Sequence, residues 1–294
     1  MSEPSLFDLA DYPKAEKPKK YLTSETPIWT CNKAKFIARY LKAFTYVTKH
    51  GSYIDAFAGP QHETTSEISW AAKLVMENEP AWLRHFYLFD RDPAQVTHLQ
   101  GLKESYLGRQ KDAKKRSVHV GLGDCNQELP SFLSQNPIKE KEATFCLLDQ
   151  RSTECDWKTV KFVSGHKGSN GGNKIELFYF LAQGWIDRAI KSWRIDVEER
   201  CERWFGKQGV REFLALSSHE RGRTMAQRFK EELGYAHSFA FPIQQSGRSG
   251  RIMFWMIHAT DHERAPALMW QAYRHIGAGG GINDPLDQLQ LGLE

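Results

Sequence analysis

The chain has 294 residues, with 40 Lys+Arg against 36 Asp+Glu, a formal charge of +4, 40% apolar and 26% charged residues. That composition is globular; it excludes general disorder and shows no repeat bias. No run of about 18 apolar residues is present, which excludes a membrane-spanning helix, and Met1 to Lys20 carries no apolar stretch of signal-peptide type, so a cytoplasmic protein without membrane contact is expected.

Residues 1–25 are expected to form a flexible arm, because Pro4, Pro13 and Pro18 interrupt any period and lysines alternate with acids. Phe36, Ile37, Tyr40, Leu41 and Phe44 then recur at helical spacing, predicting an amphipathic helix over residues 30–47. Ser52 to Phe57 reads as a short apolar strand stopped by Ala58-Gly59-Pro60. A helix over 66–77 follows, with Ser66 as its N-cap. His85 to Phe89 is a second strand ending in Asp90-Arg91-Asp92-Pro93, where Pro93 suits the first turn of a helix over 93–107.

Ser117 to Val120 is a third strand, leading into Gly121-Leu122-Gly123-Asp124 and a helix over 126–134. Ala143 to Leu148 is the most apolar strand and ends at Asp149. A helix over 157–164 and a fifth strand over 174–180 complete the alternation, which implies parallel pairing through right-handed crossovers. The last two strands, 238–243 and 252–257, are joined by a connection short enough for an antiparallel hairpin. Between the fifth strand and the hairpin, about 185–234 reads as a helical insertion.

The expected architecture is α/β: a Rossmann-like, mostly parallel class I methyltransferase sheet closed by an antiparallel hairpin. It is expected as one domain over 26–276, with a loose tail over 277–294.

Ligands of such sheets bind outside the carboxyl ends of the strands. Four acids fall there: Asp55, Asp90, Asp124 and Asp149. This set suits S-adenosylmethionine. Small residues let the backbone approach the methionine part, one carboxylate accepts from the ribose hydroxyls, another from the adenine amino group, and the last faces the methyl and its acceptor. Asp55, Phe57, Gly59, Pro60, Asp90 and Asp124 are therefore the candidates for holding the cofactor. Asp149, Gln150 and Arg151 are the candidates for the acceptor side, with Arg151 suited to an anion or phosphate.

The segment Tyr53-Ile54-Asp55-Ala56-Phe57-Ala58-Gly59-Pro60 resembles the Y-I-D-x-F-A-G-P-G segment of the three-Cys-motif partner proteins, bacterial methyltransferase-like proteins encoded beside a three-cysteine, radical-SAM-like protein. Trp29-Thr30 with Lys33, Tyr40 and Leu41 is similar to the family's opening helix. Leu88 to Pro93, Gly123-Asp124 and Ile257 to Thr260 are similar to its later elements. The resemblance runs from about Trp29 to His275. Gln61 stands where the family has a second glycine, and Gln150 where it has a proline; Trp157 is the nearest ring to replace the aromatic that follows. The resemblance implies an S-adenosylmethionine-dependent methyltransferase acting with such a partner, with nucleic acid as a candidate acceptor. It also leaves room for a rival reading, a non-catalytic assembly module in a mobile-element or phage-defence setting.

Other residues suit different chemistry. Asp149, Glu154 and Asp156 would suit Mg²⁺ in a nucleotide-processing enzyme, although residue spacing gives no metal site outright. Gly165 to Asn173 has the composition of a phosphate loop without its G-K-[ST] end. Arg188, Lys191, Arg194, Arg200 and Arg203, interleaved with Trp185, Trp193 and Trp204 and followed by Arg221, Arg223, Arg228, Arg248 and Arg251, could offer a face to nucleic acid, although the acids among them (Asp187, Asp196, Glu198, Glu199 and Glu202) favour a solvated helix with its tryptophans on the core. The five cysteines contain no C-x-x-C pair and read as reduced, mostly buried thiols; Cys155 is a nucleophile candidate without a recognisable His partner.

Overall fold

The computed structural model describes residues 28–60, 69–107, 116–191, 195–206, 209–245 and 250–280. The N-terminal arm, Ser66, Gln61, Trp193, Arg194, Arg248 and most of the C-terminal tail lie outside the described residues.

The opening strand β1 (Ile28–Trp29) leads through a single 3-10 turn into α1 (Lys33–Thr48). Then come β2 (Gly51–Asp55), α2 (Ala71–Met76), β3 (Leu83–Asp90), α3 (Pro93–Leu107), β4 (Ser117–Leu122), α4 (Cys125–Gln135), β5 (Thr144–Leu148), α5 (Trp157–Gly165) and β6 (Glu176–Leu181). The insertion supplies α6 (Gln183–Lys191), α7 (Ile195–Phe205), α8 (Val210–Ala215) and α9 (Ser218–Glu231). The chain closes with β7 (His237–Gln244), β8 (Ile252–Thr260) and α10 (Ala265–Gly277).

Among the described residues, all the strands join one eight-stranded sheet in the order β1-β7-β8-β6-β5-β2-β3-β4. The pairs β2–β3, β3–β4, β2–β5 and β5–β6 are parallel, while β8 runs antiparallel to both β6 and β7. A parallel sheet that reverses direction of growth at β2 and ends in a reversed hairpin is the class I methyltransferase layout, and the expected fold class holds. The unexpected strand is β1, whose two residues pair with Ile243 and Gln244 at the sheet edge.

Every residue of β2, β5 and β6 is buried, as a sheet covered on both faces requires. Alternation along the strands divides the core in two. Ile54, Cys146, Leu148 and Tyr179 face one layer with α4 to α9. Tyr53, Phe145, Leu147 and Phe178 face the other with α1, α2, α3 and α10. The insertion is fastened to α5 by Arg228, which lies between the rings of Trp157 and Phe205 at 4.0 and 4.1 Å and donates to Phe205 O at 2.7 Å.

Candidate functional site

Because the sheet grows in opposite directions from β2, the carboxyl ends of β2 to β5 splay apart and leave a crevice. A cavity of about 420 Å³ lies there. Ala56 and Phe57 line it after β2, Arg91 after β3, and Gly123 to Gln127 after β4. Ser152, Thr153, Glu154 and Asp156 line it after β5, and Arg200 and Arg203 of α7 form the remaining wall. That volume falls within the range of small-molecule sites.

The four strand-end acids occupy four different environments. Asp55 is buried; its Oδ2 accepts from Tyr53 OH at 2.8 Å and its Oδ1 from Phe57 N at 3.0 Å. Burial pushes its carboxyl up to about 7, against the pull of those two hydrogen bonds, with Asp149 and Asp90 adding repulsion. It braces the turn from within and does not line the cavity.

Asp90 clasps the next turn. Its Oδ2 accepts from Gly59 N at 3.0 Å and its Oδ1 from Asp92 N at 3.1 Å. The approach is close enough that a Cβ on Gly59 would come within 2.7 Å of Asp90 Oδ2 and 2.5 Å of Gln95 Cβ, so a glycine is required. Pro60 is buried beside it. Gly59, Pro60 and Asp90 thus shape the cavity's edge and do not line it.

Asp124 is exposed, lines the cavity and caps α4, its Oδ1 accepting from Asn126 N at 2.8 Å. Of the six residues expected to hold a cofactor, Phe57 and Asp124 line the cavity; the other four stand behind or beside it.

The acceptor-side candidates Asp149, Gln150 and Arg151 do not line the cavity. Asp149 is buried and paired with Lys33, whose Nζ lies 2.7 Å from its Oδ1. The same ammonium sits over the rings of Phe254 and Phe180 at 4.5 and 4.9 Å. Gln150 is fully buried and structural: its Oε1 accepts from Glu154 N and Cys155 N at 3.1 and 3.0 Å, and its Nε2 donates to Phe180 O at 3.2 Å. An amide side chain can splint a loop in this way because it offers both acceptor and donor; a proline there would leave those two amides without this partner. Arg151 is exposed and lies outside the cavity lining, its backbone N–H donating to Glu154 Oε2 at 2.9 Å. Trp157 is buried, packed between Arg228 and Phe229, and its ring is not offered to a ligand at β5.

Several residues at the site were not evident from the sequence. Asn126 joins the β4 and β5 sides: its Nδ2 donates to Glu154 O at 2.7 Å, and its Oδ1 accepts from Asp156 N and Thr159 Oγ1 at 2.8 and 2.9 Å. Glu154 reaches Arg91 at 3.1 Å. Thr153 is 2% exposed, lines the cavity, and its Oγ1 has no hydrogen-bond partner among the described residues. Lys33 was legible in principle, since position 33 falls on the same helical stripe as Ile37, Tyr40 and Phe44.

The phosphate-loop candidate lies away from the site, while Arg200 and Arg203 of the nucleic-acid candidates and Glu154 and Asp156 of the metal candidates line the cavity. The loop after α5 sits at the opposite end of the sheet, before β6, where Lys167 is buried and donates to Glu140 O at 3.2 Å; it is no phosphate loop. Arg221 and Arg228 are buried within the insertion, Arg221 donating to Leu214 O at 2.7 Å, and neither offers itself to nucleic acid. Trp204 is buried and Trp185 packs against the core. No group of three His, Cys, Asp or Glu residues is assembled for a metal among the described residues. Cys155 is buried with its thiol pushed up by the hydrogen bond to Cys125 and by desolvation, which removes it as a nucleophile. No described helix is long and apolar enough to cross a membrane.

No protein-family model and no curated protein sequence matches the chain. Among solved structures it is similar to the O-methyltransferase from Bacillus cereus in complex with SAH, at 12% identity and a TM-score of 0.41 over 76% of this chain and 80% of that one. It is also similar to a DUF574 family protein from Streptomyces avermitilis (11%, 0.42, over 77% and 82%). A third is a putative methyltransferase from Thermobifida fusca (11%, 0.40, over 80% and 84%). At such scores the fold assignment rests on the strand order itself.

Proposed function

We propose that the chain binds S-adenosylmethionine in the cavity at the ends of β2 to β5 and is a methyltransferase of the three-Cys-motif partner type. The observation that supports this reading is the cavity of about 420 Å³ lined by Phe57 and Asp124 on a sheet of this order. The residues fit the cofactor's chemistry. Asp90, at the cavity's edge rather than in its lining, uses one lone pair of each oxygen on backbone amides and would have others for a ribose hydroxyl that reaches the edge. Asp124 offers an exposed carboxylate to the adenine amino group, and the Thr153 hydroxyl supplies a donor that the protein leaves unused.

When bound, the cofactor supplies an electrophilic sulfonium methyl. The chain's own contribution is placement, which is worth several powers of ten in such reactions. Phe57 and Ala56 set the floor, Asn126 holds the β4 and β5 loops at a fixed separation, and Asp149 is held in one orientation by Lys33.

Titration calorimetry with S-adenosylmethionine and S-adenosylhomocysteine tests the reading. Saturable binding in the micromolar range is expected, weakened about tenfold in Asp124→Ala, the loss of one charge-assisted hydrogen bond. Absence of heat at millimolar cofactor would sink it.

A second reading, an assembly module that binds a three-Cys-motif partner without turnover, is favoured by one observation: Lys33 already occupies the carboxylate that would face the acceptor. Cofactor binding without methyl transfer, with the partner present, would decide for it.

A further inference from the structure

The cavity is not closed on the α7 side. Its outer lining residues Asp156, Lys158 and Arg203 are shared with a second hollow of about 450 Å³, which continues between α5 and α7 past Lys161 and Glu202. Three cations, Lys158, Lys161 and Arg203, face two acids along this stretch. The acids deeper in are engaged: Asp124 caps α4, while Glu154 accepts from the amides of Arg151 and Ser152 and pairs with Arg91. The N-termini of α4 and α5 both open on the cavity and add positive potential. Thr153, whose buried hydroxyl has no partner among the described residues, is one of the residues lining the same space.

The exposed face of α5 carries one more feature. Phe162 is 37% exposed, directly after Lys161 and one helical turn from Lys158. A partly covered ring beside two lysines, here packed on His166 at 6.1 Å with its remaining face open, is an arrangement that can follow a phosphate backbone and stack a base. An isolated phosphate would need no second hollow and no exposed ring.

The geometry points to a single-stranded polynucleotide lying across α5 and α7, its phosphates on Lys158, Lys161 and Arg203, one base on Phe162, and its end reaching the cavity at the strand ends. This names the acceptor class for the proposed methyl transfer and rests on that reading for the strand's role as acceptor; strand binding itself does not depend on it.

The test is fluorescence anisotropy with the full chain and labelled single-stranded DNA and RNA of about ten nucleotides, with a duplex and inorganic pyrophosphate as competitors. S-adenosylhomocysteine calorimetry is run on the same preparations. Binding should weaken with salt with a log–log slope of about −2, as three single-strand phosphate contacts require. Lys161→Glu should weaken strand binding about tenfold and flatten the slope by about one. Phe162→Ala should weaken it about fivefold or more and leave the slope alone. Both positions are exposed, so the fold, followed by circular dichroism, is expected to stand, and neither should change the affinity for S-adenosylhomocysteine.

Strand binding that ignores both substitutions, a duplex bound as tightly as a single strand, or complete displacement of the strand by pyrophosphate at a matching concentration would each overturn the proposal. Cofactor binding without strand binding overturns it and leaves the methyltransferase reading intact. Strand binding without cofactor binding supports the surface and removes the methyltransferase reading.

Discussion

Asp55 gives the sharpest quantitative test of the site's interior. Its carboxyl is pushed from 3.8 up to about 7, first by burial, while Tyr53 OH and Phe57 N hold it down only in part. The folded value is above the unfolded one. Its contribution to stability is therefore fully present below about pH 4 and is lost as the pH rises through about 7. A gap of about three pH units, at ~1.4 kcal/mol each, makes the whole effect about 4 kcal/mol. Some 2.5 kcal/mol of it, to order of magnitude, falls between pH 5 and pH 8.

Asp55→Asn removes the titration and keeps the geometry. The amide oxygen can accept from Phe57 N, and the Tyr53 hydroxyl can turn to accept from the amide nitrogen. Urea unfolding of both proteins at pH 5, 6, 7 and 8 measures the effect. The difference between them should grow in favour of the Asn variant by about 2.5 kcal/mol across that range, with unchanged m-values. Parallel profiles would show that Asp55 keeps an ordinary carboxylate pKa and would refute the desolvation argument.

Two further outcomes follow from buried partners. Lys33→Met removes the ammonium 2.7 Å from the buried Asp149 carboxylate and should cost up to about 3–5 kcal/mol in urea unfolding, part of it recovered in the double variant Lys33→Met with Asp149→Leu; additive losses would contradict this. Gln150→Ala strands the amides of Glu154 and Cys155 and should cost about 2–3 kcal/mol, with hydrogen exchange accelerating at both amides; protection kept at wild-type level would contradict the splint.

Most of the sheet was legible because its signals are local. Apolar strand runs, the Gly59-Pro60 stop, Pro93 at the start of α3 and Asp124 at the cap of α4 each act within a few residues. The site was legible in position, since the strand ends do converge, but less so in role. Whether an acid at a strand end faces a ligand, a lysine or its own turn depends on contacts across 31 residues for Asp90 with Gly59 and 116 for Asp149 with Lys33. No periodicity reports such distances. The basic stretch of the insertion failed as one continuous face for a different reason. Its arginines are divided between separate helices, and two of the later ones, Arg221 and Arg228, turn inward to satisfy carbonyls that the helix ends leave open.

Those inward arginines also explain why the cavity has a fixed outer wall. The wall is α7, and α7 ends at Phe205, whose carbonyl and ring both hold Arg228 of α9. Arg228 stacks in turn on Trp157 at the start of α5, and Glu232 bonds both Arg228 and the Trp157 indole, the latter at 3.0 Å. The insertion and the β5 side of the crevice are thereby tied at one point. A ligand entering between Lys158 and Arg203 meets two helices whose separation is set by that clamp, not by the ligand. Preorganised walls spare a ligand the ordering cost of assembling its own site. That is what a chain with a charge of only +4 would need in order to engage the proposed anionic strand locally, without relying on the field of the whole molecule.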